Sequence, residues 1–356
     1  MGRSERKSGL ELLRILAIMG VVLLHYNDGR AFVYTEGKIN YYVLMLLESM
    51  CICAVNVFIL ISGYFLSGTQ KRNYIKPLEL IVQFIAFKEL FYLISIVLGS
   101  TKFSFSGLIY SLVPNSYFTI LYCTLYCISP YLNRIFIVFK PVQWKRFLLV
   151  LLLLFSFWPT FTDLAEEILG VEWIGISTVT LKGAHQGFNI VNFCLIYFIG
   201  AYFYYNDMPK LFRSKKNLLL GILGITVLIF AWAFFTRGIN FKEMRSAWMY
   251  HNPLVILLAV LIFILFSSCA FKNKVINELA GASFTCFVLH GYLLNYIAIE
   301  KYVVGNLLVM LLHVFAVQII CYLISYVAYK LYALSTGWFF KFIQNKIPLL
   351  RSRDDV

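Results

Sequence analysis

The sequence predicts an all-α protein, a polytopic transmembrane helical bundle of about ten helices with both termini in the cytoplasm. Of its 356 residues, 61% are hydrophobic and only 13% are charged, whereas a soluble domain carries about 25% charged residues. The hydrophobic residues also form long runs instead of alternating with polar ones. Such runs are typical of helices that cross a bilayer.

Each predicted span is an apolar run with polar or charged residues at its ends. The predicted spans are roughly 9–28, 41–66, 74–99, 116–138, 144–161, 189–206, 217–236, 252–270, 280–299 and 303–334. The last is long enough to tilt or to run past the membrane. Residues 1–340 therefore form one predicted transmembrane domain, and residues 341–356 form a short basic cytoplasmic tail.

The formal net charge of +14 sits mainly at the ends of the predicted spans. Lys and Arg are more numerous in the connecting segments that share a side with the N-terminus, and this bias places both termini in the cytoplasm. The same positions argue against a nucleic-acid partner. The cysteines lie inside apolar runs, and none forms a Cys–His set with zinc-ligand spacing, so we expect no metal site.

The first span carries two ionisable residues, Arg14 and His25, on one face. They are eleven positions apart, a separation that returns to within about 20° on a helix and covers about 16 Å along its axis. Ionisable groups inside a membrane usually face a bundle interior or a watery cavity. We therefore expect this helix to line a site that runs through the membrane, with His25 as a proton acceptor. The alternative for Arg14 is a structural ion pair with Glu11.

The second span adds polar groups on the same path. Ser62 and Tyr64 flank Gly63, which permits close approach of another helix while its neighbours hydrogen-bond across the interface. Lys71 and Arg72 follow the span on the side of Arg14, and three cations at one mouth suit a polyanion such as a phosphorylated cofactor. The alternative for the basic pair is a simple topology signal.

Two further ionisable residues fall inside apolar runs. Glu89 lies beside Lys88 in the third span, and His290 lies in the ninth. Both are candidates to line the path, and packed structural roles are the alternative.

These motifs together resemble the membrane-bound acyltransferase 3 family. The resemblance extends over nearly the whole chain in family order. It rests on Arg14 and His25, the segment Phe58–Leu66, Lys71 with Arg72, the aromatic segment Ser116–Asn133, and Ser283–His290.

The resemblance implies a stand-alone, multi-pass O-acyltransferase of the bacterial inner membrane. Such enzymes move an acetyl or other short acyl group from cytoplasmic acyl-CoA, a donor substrate and not a tightly bound cofactor, to a sugar hydroxyl. The expected partners are acyl-CoA, the lipid bilayer, and a cell-surface polysaccharide or lipid-linked glycan as acceptor; the oligomeric state stays open. The resemblance implies His25 and Arg14 as catalytic residues, and Arg14, Lys71 and Arg72 as donor-binding residues.

The sequence leaves open a second function and, for an acyltransferase, two mechanisms. A transporter or exporter of a glycan precursor or small solute would use the same charged path. For an acyltransferase, direct transfer and an acetyl-histidine intermediate are both compatible with His25.

Overall fold

The computed structural model of the chain describes residues 7–70, 72–206, 214–239 and 246–346. This part of the chain is helical and contains no strand. The helices, in chain order, are α1 (Ser8–Tyr26), α2 (Phe32–Thr35), α3 (Ile39–Cys51), α4 (Ala54–Ser67), α5 (Ile75–Val97), α6 (Phe105–Ser111), α7 (Tyr117–Val138), α8 (Pro141–Leu152), α9 (Trp158–Leu169), α10 (Ile190–Tyr205), α11 (Lys215–Ile239), α12 (Pro253–Ser267), α13 (Lys274–Leu279), α14 (Ser283–Leu294), α15 (Glu300–Val303) and α16 (Leu307–Lys346).

The predicted fold class, an all-α polytopic helical bundle, is confirmed. Within the described residues, eight helical segments are long and apolar enough to cross a membrane. The two other predicted spans are also helical but shorter, since α10 has 16 residues and α14 has 12.

The structure divides the second predicted span. A two-residue turn at Ile52 and Cys53 separates α3 from α4, although both lie within one apolar stretch, Ile39–Ser67. The final helix, α16, has 40 residues and is therefore about 60 Å long, twice the thickness of a hydrocarbon core. The predicted basic tail begins within α16, and residues 347–356 lie outside the described residues.

Contacts between helix ends define two ends of the bundle. At the proximal end, Ser8 at the start of α1 donates to Asn277 Oδ1 of α13 at 2.9 Å, and Lys7 donates to the hydroxyl of Tyr64 near the end of α4. At the distal end, Tyr26 at the end of α1 contacts His313 near the start of α16, with 2.8 Å between its hydroxyl and Nδ1. Neighbouring spans therefore run in opposite directions, as a chain that crosses repeatedly requires.

Helix α1 lies in the middle of the bundle. It contacts α3, α4, α12, α13, α14 and α16. In an apolar 18-residue window of the segment that contains α1, 67% of residues are buried within the protein, against 22% in the corresponding windows of α5 and α11. The peripheral helices thus present most of their apolar side chains outward, toward lipid, and α1 presents its own to other helices.

Helices α4 and α10 approach most closely through two glycines. A methyl group at Gly63 would overlap the carbonyl oxygen of Tyr197, and one at Gly200 would overlap that of Leu60. Small residues allow backbones to approach in this way, and such packing holds transmembrane helices together. The predicted role of Gly63 in close helix approach therefore has a structural basis, and this contact fixes the position of α4.

We predict that Gly63→Ala destabilises the fold, because its Cβ would meet backbone and not a flexible side-chain tip. Overpacking of this kind costs about 1–3 kcal/mol, so the midpoint of thermal unfolding in detergent should fall. Gly224→Ala in α11 is the matched control, since a Cβ there has open space within 4 Å. Equal midpoints for the two variants would contradict the close-approach role.

Candidate active site

A cavity of about 560 Å³ enters the bundle from its proximal end. Its volume lies within the roughly 300–1,000 Å³ typical of small-molecule sites. The cavity wall is formed by α1, α4, α5, α7, the segment 280–287 and α16. It comprises Glu11, Arg14, Val21, Val55, Phe58, Ser62, Phe65, Leu66, Lys76, Pro77, Glu79, Leu80, Phe118, Tyr122, Cys123, Tyr126, Ala280, Gly281, Ser283, Phe284, Phe287 and Tyr329.

Charged side chains lie at the proximal mouth of this cavity. Arg14 Nη1 is 2.8 Å from Glu11 Oε2, and the Arg14 side chain remains 31% exposed while that of Glu11 is 8% exposed. Lys76 and Glu79, at the start of α5, also line the wall. The predicted ion pair of Arg14 with Glu11 is therefore present and faces the cavity, so the guanidinium is accessible to a ligand that enters.

Hydroxyl groups line the middle of the cavity. Ser62 donates to the carbonyl oxygen of Phe58 at 2.9 Å and lies 3.4 Å from the hydroxyl oxygen of Tyr122. Both residues belong to the wall, as does Tyr126. A ligand with amide or hydroxyl groups would find hydrogen-bonding partners here in an otherwise apolar passage.

The distal end of the cavity is apolar. Val21 of α1, Val55 of α4, Phe118 of α7 and Phe287 of α14 form this end. The rings of Phe118 and Phe287 pack with their centroids 4.7 Å apart. From Glu11 to Val21 the cavity therefore follows α1 for about 15 Å and stops one helical turn before His25.

His25 and His290 lie just beyond this apolar end. Their ring centroids are 4.8 Å apart, and the centroid of His290 is 5.9 Å from that of Phe287. His25 is exposed, whereas His290 is buried. His290 Nδ1 lies 3.1 Å from the carbonyl oxygen of Cys286. Because a carbonyl only accepts, Nδ1 carries the proton and Nε2 carries the lone pair.

A break in helical geometry after α1 anchors this histidine pair. Residues 27–31 form a kink between α1 and α2, in which Asp28 (ψ 121°) and Gly29 (φ 62°) are not helical. Arg30 folds back from this kink, donating to the carbonyl oxygen of His25 at 2.8 Å and to Asn295 Oδ1 at 2.7 Å. Asn295 directly follows α14, so Arg30 ties the end of the helix that carries His25 to the end of the helix that carries His290.

A buried carboxyl group supports the same kink. Asn27 is fully buried and donates to Glu48 Oε2 at 2.7 Å. Glu48 is itself buried in α3, and a polar group at such a position needs a partner to offset its desolvation. This hydrogen bond therefore holds the kink after α1 against α3 and fixes where α1 ends.

Arg72 lies behind the cavity wall. It is 2% exposed, and it donates to Ser129 Oγ at 2.8 Å and to the carbonyl oxygens of Thr69 and Leu66 at 2.8 and 2.7 Å. Asn133 donates to the same two carbonyl oxygens at 3.1 and 2.9 Å. Arg72 thus satisfies acceptors at the C-terminal end of α4, and its assignment to donor binding stays a prediction.

Three other predicted site residues lie away from this cavity or outside the described structure. Tyr64 packs against Tyr204 and Phe263, with centroids 5.6 Å apart in each case. Glu89 accepts a hydrogen bond from Ser111 of α6. Neither is among the residues that line the cavity, and Lys71 lies outside the described residues. The structure thus brings together Arg14 and Ser62 along the cavity, and His25 and His290 beyond it.

Sequence reasoning missed several residues of the site. Lys76 resembles an ordinary topology charge in the sequence, and Phe118 and Phe287 resemble ordinary lipid-facing or core aromatics. Glu48 offered a signal, because it is an acidic residue inside an apolar run, like Glu89.

Comparison with protein-family models gives one match over most of the chain. The acyltransferase 3 model, described as an acyltransferase domain, matches residues 7–330. The chain belongs to the acyltransferase 3 family. It is therefore a multi-pass membrane acyltransferase. No match was found among curated proteins or among solved structures.

Membership in the acyltransferase 3 family favours the enzyme over the transporter alternative. The matched region includes both histidines and the whole cavity wall.

We predict that Arg72→Ala lowers the thermal stability of this acyltransferase, because charge-assisted hydrogen bonds at the end of α4 are lost, each contributing about 1.5–3 kcal/mol. The measurement is the unfolding midpoint in detergent, together with donor affinity. Lys76→Ala is the control, since Lys76 is exposed and should keep the wild-type midpoint. An Arg72→Ala protein with wild-type stability and weaker donor binding would instead support a direct donor contact.

Proposed function

We propose that this acyltransferase moves a short acyl group, acetyl in the first instance, from cytoplasmic acyl-CoA to a sugar hydroxyl at the other face of the membrane. One observation carries the proposal. A single cavity leads from accessible cations at the proximal mouth to the apolar contact one ring away from the His25–His290 pair. A donor with a charged head, a long amide-containing arm and a reactive thioester at its tip matches that order of groups.

The proximal mouth suits the phosphates of acyl-CoA. Arg14 of α1 and Lys76 of α5 both line the cavity, and a guanidinium is well suited to bidentate recognition of phosphate. Glu11 pairs with Arg14 in the structure without ligand. An arriving phosphate would share or replace this carboxylate as the partner of Arg14, so the ion pair keeps the guanidinium oriented toward the cavity before the donor binds.

The arm of acyl-CoA would then lie along the middle of the cavity. Ser62 and Tyr122 provide hydroxyl groups there, between aromatic walls. The thioester would reach the distal end near Val21, one turn of α1 from His25. Because Arg14 and His25 project from the same helix, donor head and reacting group are held at a fixed separation.

His25 would act as the general base. The acceptor hydroxyl oxygen attacks the thioester carbonyl carbon while His25 takes the hydroxyl proton. The tetrahedral intermediate then collapses, the carbon–sulfur bond breaks, and His25 returns the proton to the thiolate that leaves. His25 is exposed, so an acceptor sugar can approach it from the distal side.

His290 would orient the base. Its Nδ1 proton is held by the Cys286 carbonyl, so only Nε2 is free to accept a hydrogen bond from the neighbouring ring. An N–H of His25 donated to Nε2 would leave the other His25 nitrogen with a lone pair for the acceptor hydroxyl. His290 is a positioning residue in this scheme.

We predict that His25→Ala removes acyl transfer, because the acceptor hydroxyl then has no base; loss of general-base catalysis typically costs about 10²–10⁴-fold in rate. Purified protein with radiolabelled acetyl-CoA and a glycan acceptor provides the assay, scored by labelled product and by CoA release. His185→Asn is the control, since His185 is an exposed histidine in the loop before α10 with φ 46°, which Asn tolerates.

Wild-type rates in the His25→Ala protein would refute the assignment of the base. Movement of a solute across vesicles by wild-type protein without acyl-CoA would instead favour the transporter alternative.

We predict that Arg14→Gln and Lys76→Gln each raise the KM for acyl-CoA, with the larger change for Arg14 because its guanidinium can bind phosphate through two donors. Donor affinity should also fall as ionic strength rises. Steady-state kinetics with acetyl-CoA, compared with acetylated pantetheine that lacks the nucleotide phosphates, measure the effect. If the variants lose the same factor for both donors, the cations do not contact the nucleotide.

A further inference from the structure

Packed aromatic rings form one side of the distal end of the cavity. Phe118 is 6% exposed and is surrounded by other rings, with centroids 6.2 Å from Phe58, 6.0 Å from Phe193 and 5.8 Å from Tyr122. A ring enclosed in this way has little freedom to move, because protein interiors are close-packed. Phe118 therefore forms a fixed side of the cavity end.

Phe287 forms another side of the cavity end and also contacts His290. Its ring centroid is 4.7 Å from that of Phe118 and 5.9 Å from that of His290. It is only partly buried. We call Phe118 and Phe287 the aromatic partition, since one ring separates the donor cavity from the histidines.

In the proposed donor position the thioester lies near Val21, so the acyl group lies against this partition. Val21 and Val55 also line the space next to the partition, and each is 4% exposed. This space is therefore lined by four apolar side chains. Pockets of fixed size discriminate between substrates that differ by one methylene by about 10–200-fold.

We infer that the aromatic partition, completed by Val21 and Val55, sets the largest acyl group that this acyltransferase transfers, with Phe287 as the specificity-determining residue. The inference rests on the proposed function, since it concerns the acyl end of the same donor. The expected substrates are therefore short, unbranched and uncharged acyl groups. Longer chains meet Phe287, and charged acyl groups such as succinyl meet four apolar side chains with no counter-ion.

The test compares acyl-CoA donors of increasing chain length, from acetyl to hexanoyl, together with succinyl-CoA. Wild-type protein should prefer acetyl-CoA over hexanoyl-CoA by about 100-fold or more in kcat/KM. Phe287→Ala opens the space between Phe118 and His290, so the preference should fall at least tenfold. Succinyl-CoA should stay a poor donor in this variant, since no positive charge is added.

Phe65→Ala is the matched control. Phe65 lines the same cavity near the proximal end of α4, ten positions along that helix from Val55. Its removal enlarges the cavity away from the partition, so kcat/KM should change by the same factor for every donor. Phe287→Leu and Val55→Ala serve as milder variants if Phe287→Ala unfolds, and each should relax the preference in the same direction.

Two outcomes are decisive against the inference. Acetyl-CoA turnover with an unchanged chain-length preference in Phe287→Ala, Phe287→Leu and Val55→Ala would overturn the role of the partition and leave the proposed function intact. Absence of turnover with every acyl-CoA in wild-type protein would overturn the proposed function and this inference with it.

Discussion

The burial of a helix that carries ionisable groups is the constraint on which the rest of the structure depends. Helix α1 lies at the centre of the bundle, and polar groups inside an apolar protein are costly unless they are paired or face a cavity. Arg14 meets both conditions, since it pairs with Glu11 and lines the cavity wall. The surrounding helices therefore leave a passage along one face of α1, while its other faces belong to the apolar core.

The two ends of α1 are stabilised by different means. The proximal end uses charge, with Arg14 and Glu11 at a mouth where a ligand can enter. The distal end uses hydrogen bonds, from Asn27 to Glu48 and from Arg30 to Asn295. These bonds hold the kink after α1 in place and bring the helix of His25 against the helix of His290. Helix α1 thus connects a charged entrance to a positioned imidazole pair, and the proposed transfer through the membrane rests on this arrangement.

The basic residues show where sequence reasoning reached its limit. Arg72 and Lys76 both follow the second span, and nothing in their sequence neighbours separates a buried role from an exposed one. In the structure, Arg72 lies behind the wall on acceptors at the end of α4, while Lys76 lines the mouth. The difference arises from the turn between α4 and α5, whose direction depends on packing against α7. Tyr64 packs against Tyr204 of α10, the helix that its neighbour Gly63 also contacts. Its predicted place on the path stays a prediction.

The sequence by itself determined the helical membrane class, nearly all of the apolar segments, and the common face of Arg14 and His25, because hydropathy and helical period are local properties. The tertiary structure alone decided which side chains from distant segments share the cavity. His25 and His290 are far apart in the chain, and so are Phe118 and Phe287, yet each pair is in ring contact. Such contacts depend on how helices cross. The crossing is set by close approaches, such as that of Gly63 in α4 to α10, and these depend on two segments at once.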